Sequence, residues 1–295
     1  MKLLKFFLAA LYLMMLVSCS KDVQEVRSEE LVPVTVRVNG FVTTQEDFPT
    51  TRGTAVGSYN DIKAMTLAFY KSDGVEAYKY TQFKANSSTF TTFGEFSLSL
   101  PVGSYTMVVL GYGQGSVAQE ITLTSPTVAT FGEGRVRETI AATQAVTISS
   151  GSSLSLTASL DRVVSGLAVV STDLRPANAV SVRMTFSAGG TGFNPTTGFA
   201  TTNTGFTNTV TLSNSVGTVS NAGSCLFLAS DEQSMNVTIE TLDADGQVLL
   251  SQTVNDVPLK RNRFTKLTGA IFTLGASAGS FEITNNWLDE YVVAF

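Results

Sequence analysis

Histidine is absent from the 295 residues of this chain, which removes the commonest general base and the commonest transition-metal ligand in proteins. The acidic residues are spread among predicted turns and the chain ends. Charged residues make up only 15% of the chain and form no basic run, which argues against nucleic acid as a partner. We therefore expect a protein that is not an enzyme and has no cofactor, metal ion or nucleic-acid partner.

Cysteine is scarce, and so are long apolar runs. The two cysteines, Cys19 and Cys225, do not make a disulfide framework. Residues 225–228 are apolar and predict a packed, unreactive thiol in a buried strand. The run over residues 6–17 has only twelve residues, fewer than the roughly 20 that span a bilayer. With two lysines before it, this run fits the apolar core of a secretory signal.

The apolar run ends in a signal for lipid attachment. Leu16, Val17, Ser18 and Cys19 resemble the lipobox of bacterial lipoprotein signal peptides. The resemblance implies that residues 1–18 are a signal peptide, removed before Cys19, and that the new N-terminus carries acyl chains such as palmitate. Two or three acyl chains anchor a protein stably to a membrane. The alternative is an ordinary signal peptide in which the cysteine occurs by chance.

Strand patterns fill most of the remaining chain. A first strand is predicted by the period-two alternation of four apolar residues, Val32, Val34, Val36 and Val38. Asp73-Gly74 between two such runs predicts a hairpin. We interpret residues 243–246, Asp-Ala-Asp-Gly, as another hairpin turn, because they lack the spacing and the glutamate of an EF-hand calcium loop. Residues 188–209 are rich in Gly, Thr and Asn and predict a long surface excursion.

Short strands at this spacing, without helices between them, predict an all-β protein of two β-sandwich domains in tandem. The segment Leu-Pro-Val-Gly-Ser-Tyr over residues 100–105 resembles a turn that recurs in transthyretin-like sandwiches. We expect a tether with the first strand over residues 19–52, an N-terminal sandwich over 53–158 and a C-terminal sandwich over 159–295.

Residues 257–273, VPLKRNRFTKLTGAIFT, are the most distinctive internal stretch. Lys260, Arg261 and Arg263 flank Asn262, which allows a small anion site as one interpretation. A structural role is the better interpretation, because basic residues protect a strand edge and asparagine supplies turns.

The same stretch resembles a pattern near the C-terminus of the fimbrillin family, the subunits of type V pili. The matching residues are Pro258, Leu259, Lys260, Arg261, Asn262, Thr265, Leu267 and Gly269. A lipoprotein signal, the turn at residues 100–105, a strand containing Arg162 and a late Trp287 follow the order found in that family.

The fimbrillin resemblance implies a route of assembly. Lipid on Cys19 would carry the precursor to the outer membrane of a gram-negative bacterium, and a trypsin-like protease would then cut stalk subunits behind the first strand. Arg52, before Gly53, is the best match, because Arg27 would leave the strand attached and Arg37 lies inside it. Loss of residues 19–52 removes the four valines and leaves an apolar groove and an unpaired sheet edge.

The end of the chain offers a strand to fill such a groove. Trp287, Tyr291, Val293 and Phe295 lie on one face of a predicted strand, interrupted only by Asp289. Donated to a neighbouring molecule, this strand would build a head-to-tail filament. The alternative is that it completes its own domain.

The predicted function is that of a structural pilus subunit at the cell surface, whose partners are other fimbrial subunits. Two alternatives stay open: an uncleaved, lipid-anchored pilus anchor, and a surface lipoprotein that binds glycans. The single tryptophan and scattered tyrosines give the glycan alternative little support.

Overall fold

Alternating apolar and polar residues become β-strands along most of the chain. The computed structural model describes residues 30–42, 62–113, 121–132, 135–273 and 281–285. The first nine strands are β1 Leu31–Val42, β2 Ala64–Lys71, β3 Glu76–Phe83, β4 Glu95–Pro101, β5 Gly103–Tyr112, β6 Ile121–Ser125, β7 Val128–Phe131, β8 Thr139–Ile148 and β9 Leu154–Arg162. The next nine are β10 Ser165–Ser171, β11 Ser181–Phe186, β12 Gly192–Phe193, β13 Phe206–Thr211, β14 Asn221–Leu226, β15 Glu232–Leu242, β16 Val248–Lys260, β17 Phe264–Gly269 and β18 Glu282–Asn285.

Helical structure is sparse, and the all-β prediction is confirmed. Lys84–Thr89 forms a 3-10 helix of six residues between β3 and β4. Across the ranges that the structure describes, no helix has the length and apolar character needed to cross a membrane.

The first sheet joins seven strands in the order β3-β2-β5-β8-β9-β1-β4. Its pairs are antiparallel except for β1 and β9, which run parallel. Because side chains alternate between the faces of a strand, each strand sends one row into a core that includes Leu67, Phe69, Met107 and Val109. Gln82 on edge strand β3 hydrogen-bonds the backbone at the start of β4, the other edge strand. The sheet is therefore folded over on itself, with its two edges side by side.

Two four-stranded sheets, β14-β10-β17-β18 and β13-β11-β15-β16, enclose a second core. The inward rows include Leu167 and Val169 from β10, Met184 from β11, and Val237 and Ile239 from β15. This part of the chain also has one parallel pair, β10 with β17.

The predicted surface excursion over residues 188–209 is wrong. Phe193 is 0% exposed, and its ring stacks on Phe227 with centroids 4.4 Å apart. β12, which contains Phe193, pairs with β7 in a small sheet, β12-β7-β6. A Cβ on Gly190 would lie 2.6 Å from the Thr202 carbonyl oxygen, so glycine there permits a close approach of two backbone segments. The glycines of this segment thus include one that serves packing rather than a loose loop.

Both predicted hairpin turns are confirmed. Gly74 has φ +82° between β2 and β3, a conformation that glycine adopts without strain. Between β15 and β16, the Asp243 carboxylate accepts hydrogen bonds from the backbone amides of Asp245 at 3.0 Å and Gln247 at 2.8 Å. The Asp243 side chain is therefore committed to its own turn.

The predicted boundary between residues 158 and 159 falls inside β9, which pairs with β1 in the first sheet. β10 follows after Val163 and Val164 and belongs to another sheet. A third apolar cluster includes Tyr70 and Val108 from before the boundary and Phe227 from after it. The division of the chain into two separate domains stays a prediction.

Candidate strand-binding site

The first strand carries its apolar face into the core, as the valine alternation predicts. Val32, Val34 and Val36 are 2%, 1% and 0% exposed, and Val38 is half-buried against the same cluster. Fully burying a valine contributes roughly 1.5–3 kcal/mol relative to leaving it in water. These side chains thus account for a large part of what holds β1 in the sheet.

β1 lies between two strands, and it is not an edge strand. On one side it runs antiparallel to β4, from Leu31 opposite Pro101 to Arg37 opposite Glu95. On the other side it runs parallel to β9, with Val34 opposite Leu154 and the backbone of residue 42 opposite Asp161. The expectation that its loss would leave one unpaired edge is therefore incomplete, because β4 and β9 would both lose a partner. We call the space between them, which β1 fills, the β1 slot.

The walls and floor of the β1 slot are apolar. β4 contributes Phe96 and Leu100, and β9 contributes Ala158 and Leu160. On the outer face, Arg37 Nε lies 3.0 Å from Glu95 Oε1, with side chains 59% and 34% exposed. An exposed ion pair of this kind is worth under about 1 kcal/mol. Recognition in the slot therefore rests on the alternating apolar row and on backbone hydrogen bonds.

β4, the outer wall of the slot, is held at both ends by side chains from other strands. Gln82 Nε2 donates to the Glu95 carbonyl oxygen at 2.7 Å, and Gln82 Oε1 accepts from the Gly94 amide at 2.8 Å. At the other end, the Tyr105 hydroxyl donates to the Pro101 carbonyl oxygen at 2.9 Å.

Sequence reasoning singled out the turn at residues 100–105 but not these anchors. That turn does not form a hairpin, because β4 pairs with β1 whereas β5 pairs with β2 and β8. Tyr105 could have been found from the Leu-Pro-x-Gly-x-Tyr pattern. Gln82 carries no sequence signal, because its role depends on two sheet edges meeting.

Comparison with known proteins places the chain in a family. The model of a family of unknown function, DUF6562, matches residues 28–294. The chain belongs to the DUF6562 family. No curated protein matches it.

Several solved structures resemble this DUF6562 chain at low sequence identity. A candidate adhesin from Bacteroides ovatus gives a TM-score of 0.51 at 11% identity, over 89% of this chain and 97% of the other. A candidate polysaccharide-binding protein from Bacteroides thetaiotaomicron VPI-5482 gives 0.50 at 9% identity, over 88% and 99%. The fimbrial anchor protein Mfa2 from Porphyromonas gingivalis gives 0.47 at 10% identity, over 87% and 98%. For the first two structures, at 11% and 9% identity, the likeness shows a shared fold alone.

Several predicted site residues lie outside the described residues. They are the lipidation site and the cleavage site, Cys19, Arg52 and Gly53, and the predicted donor strand, Trp287, Tyr291, Val293 and Phe295. The nearest described residues in sequence are Glu30 for Cys19, residues 42 and 62 for the cleavage site, and Asn285 at the end of β18, opposite Thr265, for the donor strand.

The basic residues around Asn262 have a structural role in the DUF6562 chain. Asn262 has φ +60° in the turn between β16 and β17, and its side-chain oxygen accepts a hydrogen bond from Arg162 Nη1 at 3.0 Å. Lys260 and Arg261 lie 2.8 and 2.6 Å from carboxylates that precede or begin β15. These contacts favour the structural interpretation over an anion site.

Cys225 is buried in β14, as its apolar surroundings predict. Burial is the main cause that raises the pKa of this thiol to about 12, and the nearby Glu138 carboxylate raises it further. Because the thiolate is the reactive form, the residue is unreactive near neutral pH.

Proposed function

We propose that this chain is a structural subunit of a surface fibre, exported as a lipoprotein on Cys19 and assembled by strand exchange after cleavage at Arg52. The observation that carries the proposal is the β1 slot. β1 completes the first core, yet it joins the rest of the fold only through residues 43–61. A single cut in that segment would leave β1 held by noncovalent contacts alone, so that another strand can replace it.

The covalent link explains why export as an uncut precursor would prevent early assembly. A strand tethered by a short linker has an effective concentration in the mM range or above. A strand from another molecule cannot compete with it at ordinary protein concentrations. Proteolysis after Arg52 would therefore act as the switch that starts polymerisation.

The proposed incoming strand is the C-terminal segment, with Trp287, Tyr291, Val293 and Phe295 on its apolar face. The period-two spacing of the last three equals the spacing of the buried valines in β1. Asp289 interrupts the row. We therefore place Tyr291, Val293 and Phe295 in the apolar positions of the slot, and Asp289 outside those positions, before Tyr291.

The topology favours donation to a neighbour over self-completion. Asn285 lies opposite Thr265 just after the turn containing Asn262, and that turn is hydrogen-bonded to Arg162 at the end of β9. Asn285, the last described residue before the C-terminal segment, thus lies near the end of the slot where β1 finishes. Entering its own slot, the C-terminal segment would run opposite to β1, parallel to β4 and antiparallel to β9. A segment from another molecule can enter in the direction of β1.

The experiment that tests the proposal is an Arg52→Ala substitution in cells, with Arg27→Ala as the matched control. We expect the Arg52→Ala protein to remain a lipidated monomer, while Arg27→Ala assembles normally. The readout is the denaturation-resistant ladder of cell-surface protein on a gel. A normal ladder from Arg52→Ala would overturn cleavage at this site.

Deleting residues 287–295 tests the donor strand separately. The shortened protein should be cut normally and accept a strand, but it should cap fibres because it cannot donate. Undiminished fibre length at an equal expression level would overturn the role of the C-terminal segment.

The complete pairing of β1 in the intact chain also fits a second candidate, a lipid-anchored subunit that is never cut. The N-terminal residue of the mature surface protein distinguishes the two. Gly53 indicates a processed stalk or accessory subunit, and a lipidated Cys19 indicates an anchor. A glycan array tests the remaining alternative, a glycan-binding lipoprotein.

A further inference from the structure

Strand exchange requires that the slot keep its structure after β1 has left. β4 is the strand whose position depends most on β1. Within the described part of the chain, β1 is the only strand that pairs with β4. When β1 leaves, β4 loses all of its ladder hydrogen bonds, whereas β9 still pairs with β8 at Asp161 and Arg162. A seven-residue strand without a partner is not expected to keep its place by backbone geometry alone.

We propose that Gln82 and Tyr105 form a clamp that keeps β4 in position while the slot is empty, and so act as positioning residues for the incoming strand. The proposal rests on the strand exchange argued above. It gives these two residues a role in accepting a strand, distinct from the roles of the valines in β1 and of the cleavage segment.

The geometry of Gln82 suits this task. Its side chain is 2% exposed and bonds both an N–H and a C=O at the start of β4, with 2.8 and 2.7 Å between heavy atoms. These two backbone groups belong to Gly94 and Glu95. Because the buried amide replaces a missing strand partner at both groups, their desolvation is compensated whether or not β1 is present.

Tyr105 fixes the opposite end of β4 through its bond to Pro101. Its ring lies edge-on to Phe69, with centroids 6.3 Å apart, and this packing sets the direction of the hydroxyl. Both rings belong to the first core. The first and last residues of β4 are thus held by β3 and β5, strands that do not pair with β1.

The consequence is an acceptor site whose outer wall is preorganised. If β4 became disordered in the empty slot, the apparent dissociation constant of an incoming strand would rise in inverse proportion to the ordered fraction. With β1 bound, the ladder itself orders β4, so the clamp matters less. A residue of this kind affects strand binding more than it affects the intact fold.

The test uses the full mature chain with a specific protease sequence in residues 43–61 and a fluorophore on the β1 fragment. After cutting, the complex is diluted, and fragment release gives the dissociation constant. Gln82→Met keeps the side-chain volume and removes both hydrogen bonds, and Tyr105→Phe removes one hydroxyl. Thr66→Val is the matched control, because it removes the part-buried Thr66–Thr81 hydrogen bond of 2.8 Å between β2 and β3.

We expect the dissociation constant to rise at least about tenfold for Gln82→Met and a few-fold for Tyr105→Phe, and to stay within about twofold for Thr66→Val. Urea unfolding of the uncut variants supplies the structural readout, and Gln82→Met and Thr66→Val should lower the midpoint by similar amounts. An unchanged dissociation constant for Gln82→Met, or an equal rise for Thr66→Val, would overturn the clamp. Should Gln82→Met not fold, Tyr105→Phe decides, and an unchanged constant overturns the proposal.

A second peptide separates this inference from the proposed function. Unlabelled peptides of residues 30–42 and 286–295 are each tested as competitors for the slot. If only the first peptide competes, the proposed donor strand is wrong, while the clamp is still judged from the variants.

Discussion

The two halves of the described chain share a topology but differ in how their first strand is connected. In each half the first strand runs parallel to a late strand of its sheet, β1 beside β9 and β10 beside β17. Each first strand also has an antiparallel neighbour, β4 for β1 and β14 for β10. β10 follows β9 after two residues, whereas residues 43–63 separate β1 from β2. Packing is similar in the two cases, so connectivity decides which strand one cut can free.

The largest expected effect is a difference in peptide uptake between a chain cut in the first half and a chain cut in the second half. A specific protease sequence is placed in residues 43–61 of one protein, and between the exposed Ala177 and Asn178 of another. Cut in the first position, the protein should exchange β1 for a labelled peptide of residues 30–42. Cut in the second, it should not take up a peptide of residues 165–171, because β10 stays joined to β9. Size-exclusion chromatography with fluorescence detection measures uptake, and equal uptake by both proteins would contradict the role of connectivity.

A buried ion pair next to the contact between the halves should give the next largest effect, a loss of stability. Arg162, at the end of β9, is buried, and its Nη2 lies 2.5 Å from Glu138 Oε1. Arg162→Ala leaves that carboxylate without its cation and should lower the free energy of unfolding by about 3–5 kcal/mol. Urea unfolding measures the loss.

The control for Arg162→Ala is the double variant Arg162→Met, Glu138→Leu. It replaces the ion pair with apolar side chains and should recover much of the lost stability. A loss below about 1 kcal/mol in Arg162→Ala would show that this ion pair contributes little to the stability of the fold.

Matched valines sharpen the comparison of the two first strands. Val36 of β1 and Val169 of β10 are both 0% exposed. Val36→Ala and Val169→Ala should each lower the free energy of unfolding of the uncut chain by about 1–3 kcal/mol, because each leaves a small cavity. After cutting in residues 43–61 and exchange for a wild-type β1 peptide, the Val36→Ala defect should vanish and the Val169→Ala defect should persist. Persistence of both would mean that β1 does not leave the slot.

The smallest expected effect is a pH dependence from the third apolar cluster, where the halves meet. Burial raises the pKa of Cys225 to about 12 from its usual 9.0. The folded protein therefore holds this proton more tightly than the unfolded chain. The resulting stability is fully present below about pH 9 and is lost as the pH rises towards about 12.

Urea unfolding between pH 8 and pH 11 (roughly the window in which the thiol titrates only in the unfolded chain) measures this loss. The Cys225 part should make the free energy of unfolding fall as the pH rises above about 9. Cys225→Ala should lack that part and keep the part from Tyr70, whose pKa burial also raises to about 12. An unchanged slope in Cys225→Ala would show that this thiol is not protected.

Much of the local structure could be predicted, because local patterns report local conformation. The valine alternation predicted β1, Asp73-Gly74 predicted a hairpin, and the apolar residues around Cys225 predicted its burial. Phe193 was missed because Gly, Thr and Asn usually indicate loops, and its burial depends on β7 and Phe227, which are distant in sequence. Gln82 was missed for a similar reason, since its partners at Gly94 and Glu95 lie across two sheet edges.

The sequence by itself determined that this protein is built of strands and that β1 has one apolar face, because side chains alternate with period two along any strand. It also determined the composition that argues against histidine-based catalysis and nucleic-acid binding. Only the tertiary structure decided that β1 lies between β4 and β9, since pairing partners far apart in sequence leave no local periodicity. The fold of the sheet also decided that Gln82 and Tyr105 hold β4, because a hydrogen bond depends on where two chain segments meet rather than on their spacing along the chain.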